Sequence, residues 1–390
     1  MKEGWTYKKL GEVATFTSGY TPEKKDLLGS GSFPYFKVAE MNLDGNELYM
    51  RNTSLFVKSP KKIFQKGSII FPKNGGAIYT EKKRILDRDS VIDLNTEALT
   101  PNSEVCLMYL YYYLCYIKIS SFDKGGGLPS LDIKKMSNSL IPISSIPEQK
   151  HIVERLDAAF ENIDKLKANA EKQLAEAQTL FQKSLAKAME PKEGWGVVKL
   201  ESLCTDVVDC PHSTPRKAEH PTQYPCIRTS ELKGGNIEWS SMQYLEEEEY
   251  IVRTARIKPQ CNDIVYGREG TYGDAVLLPE GYFFSLGQRT MLFRPNIGKV
   301  VPKFLHYNVI SSHVYEQAKA KNSGCGVGHV NVKDIKLFDI GIPKSLAEQQ
   351  RIVERLDALS ENIRKYEEIQ RQIISECDAL KQALLRKVFE

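Results

Sequence analysis

The stretch IVERLDA occurs twice in the chain, at Ile152–Ala158 and again at Ile352–Ala358. A second stretch, KEGW, lies near the N-terminus at Lys2–Trp5 and returns at Lys192–Trp195. Two matching segments that recur in the same order at a similar separation indicate that the whole chain is a tandem repeat. The architecture therefore has to be explained as two copies of one plan.

The bulk composition predicts a globular protein. The chain has 390 residues, of which 41% are hydrophobic and 27% charged, enough for two domains or more. A net charge of +4 is compatible with a nucleic-acid partner, but only local basic patches can indicate one. The N-terminus lacks the apolar core of a signal peptide, and the apolar run Val105–Ile117 is too short to span a bilayer. We expect a cytoplasmic protein without membrane contact.

Each copy begins with a region rich in glycine, proline and tyrosine and ends with about 40 residues that almost lack glycine and proline. Short β-like runs, Gly67–Phe71, Asp263–Tyr266 and Gly281–Phe284, alternate with turn residues in the first part. This pattern predicts a mixed domain with a curled sheet, followed by a long helix. The predicted segments are domain 1 at 1–146, a helix at 147–190, domain 2 at 191–346 and a helix at 347–390.

Both helical segments carry apolar or small residues at alternating spacings of four and three, the heptad pattern of a coiled coil. A helix of 40 residues is about 60 Å long, longer than a domain of this size is wide. We therefore expect an α+β protein whose two long helices pair as an antiparallel coiled coil with pseudo-two-fold symmetry. Gln173 and Gln370 either fix the register inside the seam or are exposed. The predicted seam comprises Ile152, Leu156, Ala159, Ile163, Leu166, Ala170, Gln173, Ala177, Leu180 and Ser184, and Ile352, Leu356, Leu359, Ile363, Tyr366, Gln370, Ile373, Cys377, Leu380 and Leu384.

One group of side chains raises the question of a metal site. The eight cysteines contain no C-x-x-C pair, and the spacing in this group is unlike that of structural zinc sites. We favour ordinary reduced thiols over zinc and expect no metal. The group comprises Cys204, Cys210, His212, His220 and Cys226.

Taken together, four repeated motifs resemble the specificity (S) subunit of type I restriction-modification enzymes over essentially the whole chain. No single motif carries the resemblance; the combination does. The motifs are GWxxxxL at 4–10 and 194–200, IPxxxxxEQxxIVERLD at 141–157 with a copy one residue shorter at 342–357, the glycine-rich stretches at 66–76 and 261–273, and the stretches ending in [DN]-[IV]-K at 126–134 and 325–333.

The resemblance implies a function for each part. Each globular domain would be a target recognition domain that reads one half of a bipartite, asymmetric sequence in double-stranded DNA. The helices would hold the domains apart and dock two methyltransferase subunits, through which restriction (motor-nuclease) subunits join. The chain would have no catalytic residue and no cofactor. Consistently, it contains no [DNS]-P-P-[YFW] motif and no G-x-x-x-x-G-K-[ST] loop.

Two alternatives remain open at this point. One is a tandem coiled-coil scaffold whose domains bind proteins or glycans rather than DNA. The other is the specificity subunit of a different type of restriction enzyme. A scaffold predicts no salt-dependent affinity for DNA, whereas a recognition subunit predicts a strong dependence.

Basic and amide side chains are the candidates for DNA contact, since lysine and arginine bind phosphates and arginine, asparagine and glutamine read base edges. In the first domain, the stretch Val57–Arg84 is dense in lysine, and the loop at 124–132 is rich in glycine. A solvated surface explains any single lysine, but DNA contact better explains the whole patch. The candidates are Lys37, Lys61, Lys62, Lys73, Asn74, Tyr79, Lys82, Lys83, Arg84, Lys124 and Ser130.

In the second domain the candidates lie in or beside glycine-rich turns. An arginine there either contacts guanine through two hydrogen bonds or forms a structural ion pair with Glu231 or Glu269. The repeat places His329 at the position of Ser130. The candidates are Arg228, Ser230, Arg268, Tyr272, Arg289, Asn322 and His329.

Overall fold

The computed structural model describes residues 4–270, 272–322 and 328–390. Its contacts divide into two units: one holds the chain up to Ala170 together with Gln372–Glu390, and the other holds Glu171–Arg371. Both divisions fall inside long helices, which span Ile146–Met189 and Leu346–Phe389. Each unit thus combines one globular domain with a segment of each long helix, and the predicted α+β plan is confirmed.

The first globular domain, residues 4–145, is built on a mixed five-stranded sheet. Its strand order is Ala14–Ser18, Thr96–Pro101, Ile69–Pro72, Arg84–Leu86 and Tyr49–Met50. The central strand Ile69–Pro72 is buried at every position, which explains the uninterrupted apolar run in its sequence. The other elements are strands Thr6–Lys9, Leu27–Leu28, Phe33–Phe36, Phe56–Val57, Val91–Ile92 and Leu140–Ile143, helices Leu10–Val13, Leu107–Tyr116 and Ile133–Ser137, and short 3-10 helices Lys24–Asp26, Ala39–Asn42, Gly76–Thr80 and Ile119–Phe122.

The second globular domain, residues 190–345, repeats this plan. Its four-stranded sheet has the order Cys204–Asp209, Thr290–Pro295, Ile264–Gly267 and Ala275–Leu277. The other elements are strands Gly196–Lys199, Pro225–Ile227, Leu232–Lys233, Asn236–Ile237, Gln243–Tyr244, Ser285–Leu286 and Asp339–Ile342, helices Glu247–Thr254, Pro302–Val309, Ser312–Ala320 and Val332–Lys336, and short 3-10 helices Leu200–Leu203, Thr229–Glu231 and Trp239–Ser241.

One predicted strand is wrong. The run GYFF at Gly281–Phe284 precedes a strand rather than forming one, since the strand is Ser285–Leu286. Tyr282 and Phe283 are 49% and 53% exposed. Gly281 has a φ of 90°, a left-handed backbone that ends extended pairing, so Tyr282 and Phe283 lie on the surface, whereas Phe284 is buried.

The repeated EQ motif attaches each long helix to its own domain. Gln149 is fully buried, and its Oε1 accepts from the backbone N–H of Cys106 at 2.8 Å. Its Nε2 donates to the carbonyls of Ser144 and Glu104, at 2.9 and 3.0 Å. A buried amide with all of these partners holds the helix in one orientation. The corresponding Gln349 makes the same three kinds of hydrogen bond in the second domain.

The repeated aspartate of IVERLD serves the same purpose. Asp157 accepts a hydrogen bond from the hydroxyl of Tyr112, and Asp357 accepts one from Tyr307 at 2.5 Å. Burial, together with the nearby carboxylate, raises the pKa of both tyrosine hydroxyls. The tyrosines therefore remain donors, and both copies of the motif have a structural reason for the same residue.

The long helices run antiparallel within each unit. In the first unit, Asp164 pairs with Lys381 at 2.5 Å, and Lys167 pairs with Asp378 at 2.8 Å. The residue numbers of the two helices therefore increase in opposite directions. In the second unit, the hydroxyl of Tyr366 donates to Gln173 Oε1 at 2.9 Å, and the later Leu185 shares a core with the earlier Leu356. The predicted antiparallel pairing is thus present in both units.

Part of the predicted seam is wrong. Leu166, Leu180, Tyr366 and Leu380 are 51%, 53%, 40% and 49% exposed. The buried layer keeps the seven-residue spacing, but the alternate layer lies one residue later, at positions such as Lys167. The stem of a lysine covers apolar surface while its ammonium reaches a carboxylate of the opposite helix, so a charged residue occupies the seam and leucines remain outside. Of the two alternatives for the glutamines, a position inside the seam or an exposed one, Gln370 takes the first, since it is only 5% exposed.

Each long helix ends inside a globular core. Phe389 packs against Tyr109 and Tyr113, with ring centroids 5.2 and 5.5 Å apart. Met189 is fully buried in the core of the second domain. Aromatic pairs of this kind add to the burial of apolar surface, so both helix ends are anchored. Within the described part of the chain, no helix is both long and apolar enough to cross a membrane.

Candidate nucleic-acid interface

Both domains form the same turn at the end of their central strand. Strand Ile69–Pro72 is followed by Lys73-Asn74-Gly75, and strand Ile264–Gly267 by Arg268-Glu269-Gly270. The glycines have φ values of 74° and 73°, a left-handed conformation that other residues adopt at a cost. The turn brings a basic residue and a polar residue out of the buried sheet in each domain.

In the first domain, this turn collects several predicted residues. Asn74 and Ser130 form an isolated β-bridge, and the hydroxyl of Ser130 donates to Asn74 Oδ1 at 3.2 Å. The backbone N–H of Lys73 donates to the carbonyl of Asn95 at 2.8 Å, and Asn74 Nδ2 donates to Asn95 Oδ1 at 3.3 Å. Lys73, Asn74 and Ser130 are therefore neighbours, joined by Asn95.

In the second domain, Glu269 is the centre of an ionic network. It forms a β-bridge with His329, whose Nδ1 lies 3.1 Å from its carboxylate. Arg268, only 6% exposed, pairs with Glu269 at 3.0 Å and with Asp209 at 2.9 Å. Arg289 approaches Glu269 only to 3.5 Å, and its side chain is 56% exposed. The bridges confirm that Ser130 and His329 are equivalent.

A strip of polar contacts extends the first cluster towards the lysine-rich surface. Lys73 pairs with Glu97 at 3.3 Å, and the hydroxyl of Ser18 donates to the same carboxylate at 2.6 Å. Lys62 Nζ in turn donates to the carbonyl of Ser18 at 3.1 Å. The side chain of the neighbouring Lys61 is 70% exposed. The described contacts thus link the exposed Lys62 through Ser18 and Glu97 to Lys73, whose side chain is only 16% exposed.

Three more predicted residues of the first domain are partly or fully exposed, with Tyr79 in the 3-10 helix Gly76–Thr80 and Lys37 and Lys124 in loops. The hydroxyl of Tyr79 donates to Asp123 at 2.6 Å, which raises the pKa of Tyr79 and lowers that of the aspartate. Lys124 is exposed, and its backbone N–H donates to the carbonyl of Ser130 at 2.9 Å. Lys37 lies over the ring of Tyr35 at 5.6 Å.

The three basic residues 82–84, at the end of the lysine-rich stretch, form contacts within the first domain. Lys83 is 5% exposed and pairs with Glu81 at 2.9 Å. Arg84 donates to the carbonyl of Met41 at 3.1 Å, and Lys82 is hydrogen-bonded to the side chain of Asn42. Of these three, Lys83 is the least accessible to a ligand.

Arg228 is held by an acid that is itself fully buried. Its Nε donates to Glu231 Oε2 at 3.2 Å, and its backbone N–H donates to the same oxygen at 2.8 Å. Ser230, although exposed, also donates to this carboxylate at 2.7 Å. The expected ion pairs with Glu231 and Glu269 both form, so Arg228 and Arg268 have structural partners.

A cleft of about 450 Å³ opens beside this arginine. None of its described lining residues is acidic; of its three cations, Arg228 is paired with Glu231, Arg289 lies 3.5 Å from Glu269, and Lys217 is exposed. Such a lining favours an anionic or hydrogen-bond-accepting ligand, as phosphates and guanine edges are. The cleft is lined by Thr214, Pro215, Lys217, Arg228, Thr229, Ser230, Gln243, Gln288 and Arg289.

Two predicted residues have other contacts. The ring of Tyr272 stacks on Tyr315, with centroids 5.8 Å apart and planes at 9°. Asn322 Oδ1 accepts from the backbone N–H of His329 at 2.9 Å. The middle of the predicted glycine-rich loop, residues 323–327, and Thr271 lie outside the described residues.

Sequence reasoning missed Asn95, Lys217, Gln243 and Gln288 at these sites. Gln288 lies next to Arg289 between two apolar segments. This pattern indicates an exposed turn, so Gln288 could have been predicted from the sequence. Gln243 and Lys217 are far from Arg289 in sequence and meet it only in the fold. Asn95 follows an exposed Leu94, and nothing in the sequence singles it out.

The thiols considered for zinc lie in different parts of the second domain. Cys204 packs against one apolar cluster, Cys210 belongs to a second and Cys226 to a third. Burial raises the pKa of the Cys204 thiol to about 12, so it stays protonated and binds metal poorly. Among the described residues, no three histidine, cysteine or acidic side chains are grouped to hold a metal ion.

Comparison with known families adds to this geometry. The family described as the type I restriction modification DNA specificity domain matches residues 2–176 and 192–374. The chain is 25% identical over 386 residues to the type I restriction enzyme MjaVIII specificity subunit of Methanocaldococcus jannaschii, covering 92% of this chain and 86% of that one. It is 24% identical over 428 residues to the EcoKI specificity subunit of Escherichia coli, covering 100% and 89%.

Two solved structures have a similar fold. One comes from work on complex assembly and conformational transition of the type I R-M system, with a TM-score of 0.77, 19% identity and coverage of 100% of this chain and 98% of that chain. The other is the HsdS subunit of Thermoanaerobacter tengcongensis, with a TM-score of 0.56, 19% identity and coverage of 100% and 97%. The match extends over both globular domains and both long helices.

Proposed function

The chain belongs to the family of type I restriction-modification DNA specificity subunits, and we propose that each globular domain reads one half of a bipartite, asymmetric DNA sequence. One observation carries the proposal. The two domains share the turn after the central strand, yet they place different residues on it: Asn74 and Ser130 in one, Glu269 and His329 in the other. A common frame with different side chains suits two domains that read different bases.

The contacts divide into phosphate binding and base reading. Exposed lysines bind the backbone and supply most of the salt-dependent affinity. The polar cluster around Asn74 reads bases in the first half-site, and the cleft beside Arg289 does so in the second. Arg228, Arg268 and Lys83 position the loops, because their charges are already paired within the domains. The phosphate contacts are Lys37, Lys61, Lys62, Lys82, Lys124 and Lys217.

The long helices dock two methyltransferase subunits. Leu166 lies between Asp164 and Lys167, and Leu380 between Asp378 and Lys381, so both leucines flank the same two ion pairs and both are about half exposed. In the second unit, Leu180 and Tyr366 are exposed as well. Apolar side chains that the helix pair leaves uncovered fit a protein partner.

Two charged residues of the repeat support docking to the helices independently of these leucines. Glu154 and Arg155 are exposed and recur as the exposed Glu354 and Arg355. Internal packing explains the buried residues of the motif but not these. Identical exposed residues in both copies fit two identical partners, one for each unit.

The chain contributes recognition, and its partners contribute catalysis. Restriction subunits join through the methyltransferases, and the assembly works in the cytoplasm, where it meets double-stranded DNA. No cofactor is assigned to this chain. The functional segments are those of the sequence: recognition domains at 1–146 and 191–346, with docking helices at 147–190 and 347–390.

The test is to co-express the chain with a cognate methyltransferase and to map methylated adenines across a genome by single-molecule sequencing. The expected result is one split motif, methylated on both strands, with a constant gap. Replacing residues 1–146 with the domain of another family member should change only one half. A chain that co-purifies with the methyltransferase but yields no methylation would favour a scaffold and overturn DNA reading.

A further inference from the structure

Strands Thr290–Pro295 and Thr96–Pro101 each lie next to the central strand of their sheet. The turn that leads into each of them makes the same backbone hydrogen bonds in both domains. In the second domain it comprises residues 287–290. The N–H of Gly287 donates to the carbonyl of Ile227 at 2.6 Å, and the carbonyl of Arg289 accepts from the N–H of Arg268 at 3.0 Å. The carbonyl of Thr290 accepts from Cys210 at 3.2 Å. Both ends of the turn are therefore fixed to neighbouring segments.

In the first domain, residues 93–96 make the equivalent bonds. The N–H of Asp93 donates to Phe36 at 2.9 Å, and the carbonyl of Asn95 accepts from Lys73 at 2.8 Å. The carbonyl of Thr96 accepts from Gly19 at 3.0 Å. We call residues 93–96 and 287–290 the tip turns. Each is held against the Lys73 or Arg268 turn, so both tip turns belong to the candidate interface.

The side chains on the two tip turns differ in chemistry. The first tip turn exposes Leu94, which is 45% exposed, whereas the side chain of Asn95 is hydrogen-bonded to Asp93 and Asn74. The second exposes Arg289 and partly exposes Gln288. A fixed backbone with different exposed side chains is the arrangement that specificity requires, since the frame sets the distance and the tip selects the base.

Arg289 is placed to read rather than to support. It has a φ of 68°, a left-handed conformation that costs free energy in a non-glycine residue and is concentrated at functional sites. Its only described ion pair is the long contact of 3.5 Å with Glu269, so much of the guanidinium is available. Glu269 is itself held by Arg268 and His329. It orients Arg289 at the edge of the cleft that Lys217 and Arg228 also line.

We propose that the tip turns are the specificity-determining segments of this protein. Arg289 reads a guanine in the second half-site, and Leu94 contacts the methyl group of a thymine in the first. An arginine fork matches the O6 and N7 acceptors of guanine, and an apolar side chain matches the thymine methyl group. The inference rests on the proposed function. It singles out Arg289 among the candidates of the second domain and adds Leu94, which the sequence alone did not select.

The test uses the complete chain, co-expressed with a cognate methyltransferase, and the variants Arg289→Gly, Arg289→Lys and Lys217→Ala. Glycine adopts a φ of 68° without strain, so Arg289→Gly should fold as well as the parent. Lysine keeps the charge but loses the planar fork. Lys217 lines the same cleft and is exposed, which makes it the matched control for a phosphate contact.

For both Arg289 variants we expect one guanine position in the second half to become relaxed. Preference for that guanine should fall by about 5- to 150-fold, the range of one bidentate base contact. The first half should stay unchanged. Lys217→Ala should lower methylation evenly without changing the motif. Leu94→Ala should relax a thymine position in the first half only.

Two results would overturn the inference. One is an unchanged motif in the Arg289 variants, and the other is an even loss of methylation like that of Lys217→Ala, which would make Arg289 a phosphate contact. Thermal unfolding shows whether Arg289→Gly is folded, and Arg289→Lys decides the case if it is not. Failure of the proposed function is separate, because then the unmodified chain itself gives no split motif.

Discussion

Replacing Gln149 with alanine should detach the start of the first long helix from its recognition domain. The amide is fully buried and makes three hydrogen bonds, of 2.8, 2.9 and 3.0 Å, to backbone groups of Cys106, Ser144 and Glu104. Each bond contributes about 1 kcal/mol, and an abandoned buried N–H adds about 1–2 kcal/mol. The free energy of unfolding should therefore fall by about 4–5 kcal/mol.

The second copy offers an internal comparison. Gln349 accepts from Val301 at 2.8 Å, but both of its donated bonds are 3.3 Å long. Weaker geometry should make Gln349→Ala the milder variant, by about 1 kcal/mol. The adjacent Gln350 is exposed, and among the described residues its side chain donates a hydrogen bond to Glu354 at 3.2 Å. Gln350→Ala is thus the matched control and should cost less than about 0.5 kcal/mol.

The assay is urea unfolding combined with amide hydrogen exchange of helix Leu107–Tyr116. In Gln149→Ala, the N–H of Cys106 and the start of this helix should lose protection, whereas the second domain should not. The order of destabilisation should be Gln149, then Gln349, then Gln350. If Gln149→Ala and Gln350→Ala unfold at the same urea concentration, the buried amide does not hold the helix, and the structural explanation of the EQ motif fails.

Three further predictions concern docking, pH and salt. Leu166→Arg with Leu380→Arg should abolish co-purification with the methyltransferase but leave the thermal midpoint nearly unchanged, because both leucines are exposed; retained co-purification would exclude this surface. Burial lowers the pKa of His306 to about 4 from 6.5, so the unfolded chain takes up the proton first. Stability should be complete above pH 6.5 and fall by about 3 kcal/mol towards pH 4, measured as urea midpoints, and His306→Gln should remove this dependence. Lys62→Ala should reduce the slope of log affinity against log salt by about 0.9 in DNA-binding titrations, whereas Lys83→Ala, a buried control, should leave it unchanged.

The two kinds of arginine in the second domain have different proposed roles. Arg268 is 6% exposed and has two acidic partners, so its removal should destabilise the domain rather than change the DNA sequence read. Arg289 has one distant partner and an exposed guanidinium. A recognition surface needs both, because a reading side chain discriminates between bases only if its backbone does not move.

Some of this could be read from the sequence alone. The duplicated IVERLDA and KEGW stretches determine a tandem architecture, and the lack of glycine and proline after each domain determines two long helices. The repeat also predicted that His329 is equivalent to Ser130, and the β-bridges of the two residues confirm this equivalence. These features depend on local periodicity and on order along the chain, which the sequence contains completely.

Other features were decided only by tertiary structure. The seam differs from its heptad prediction because Lys167 and Lys381 find carboxylates on the opposite helix, which no single-helix pattern contains. Lys83 and Arg289 look alike as basic residues in a chain, yet one is 5% exposed with a close acid and the other has an exposed side chain. Sequence determines which charges exist, but burial and the position of distant partners determine which of them are free to bind, because ion pairing depends on distances between segments far apart in the chain.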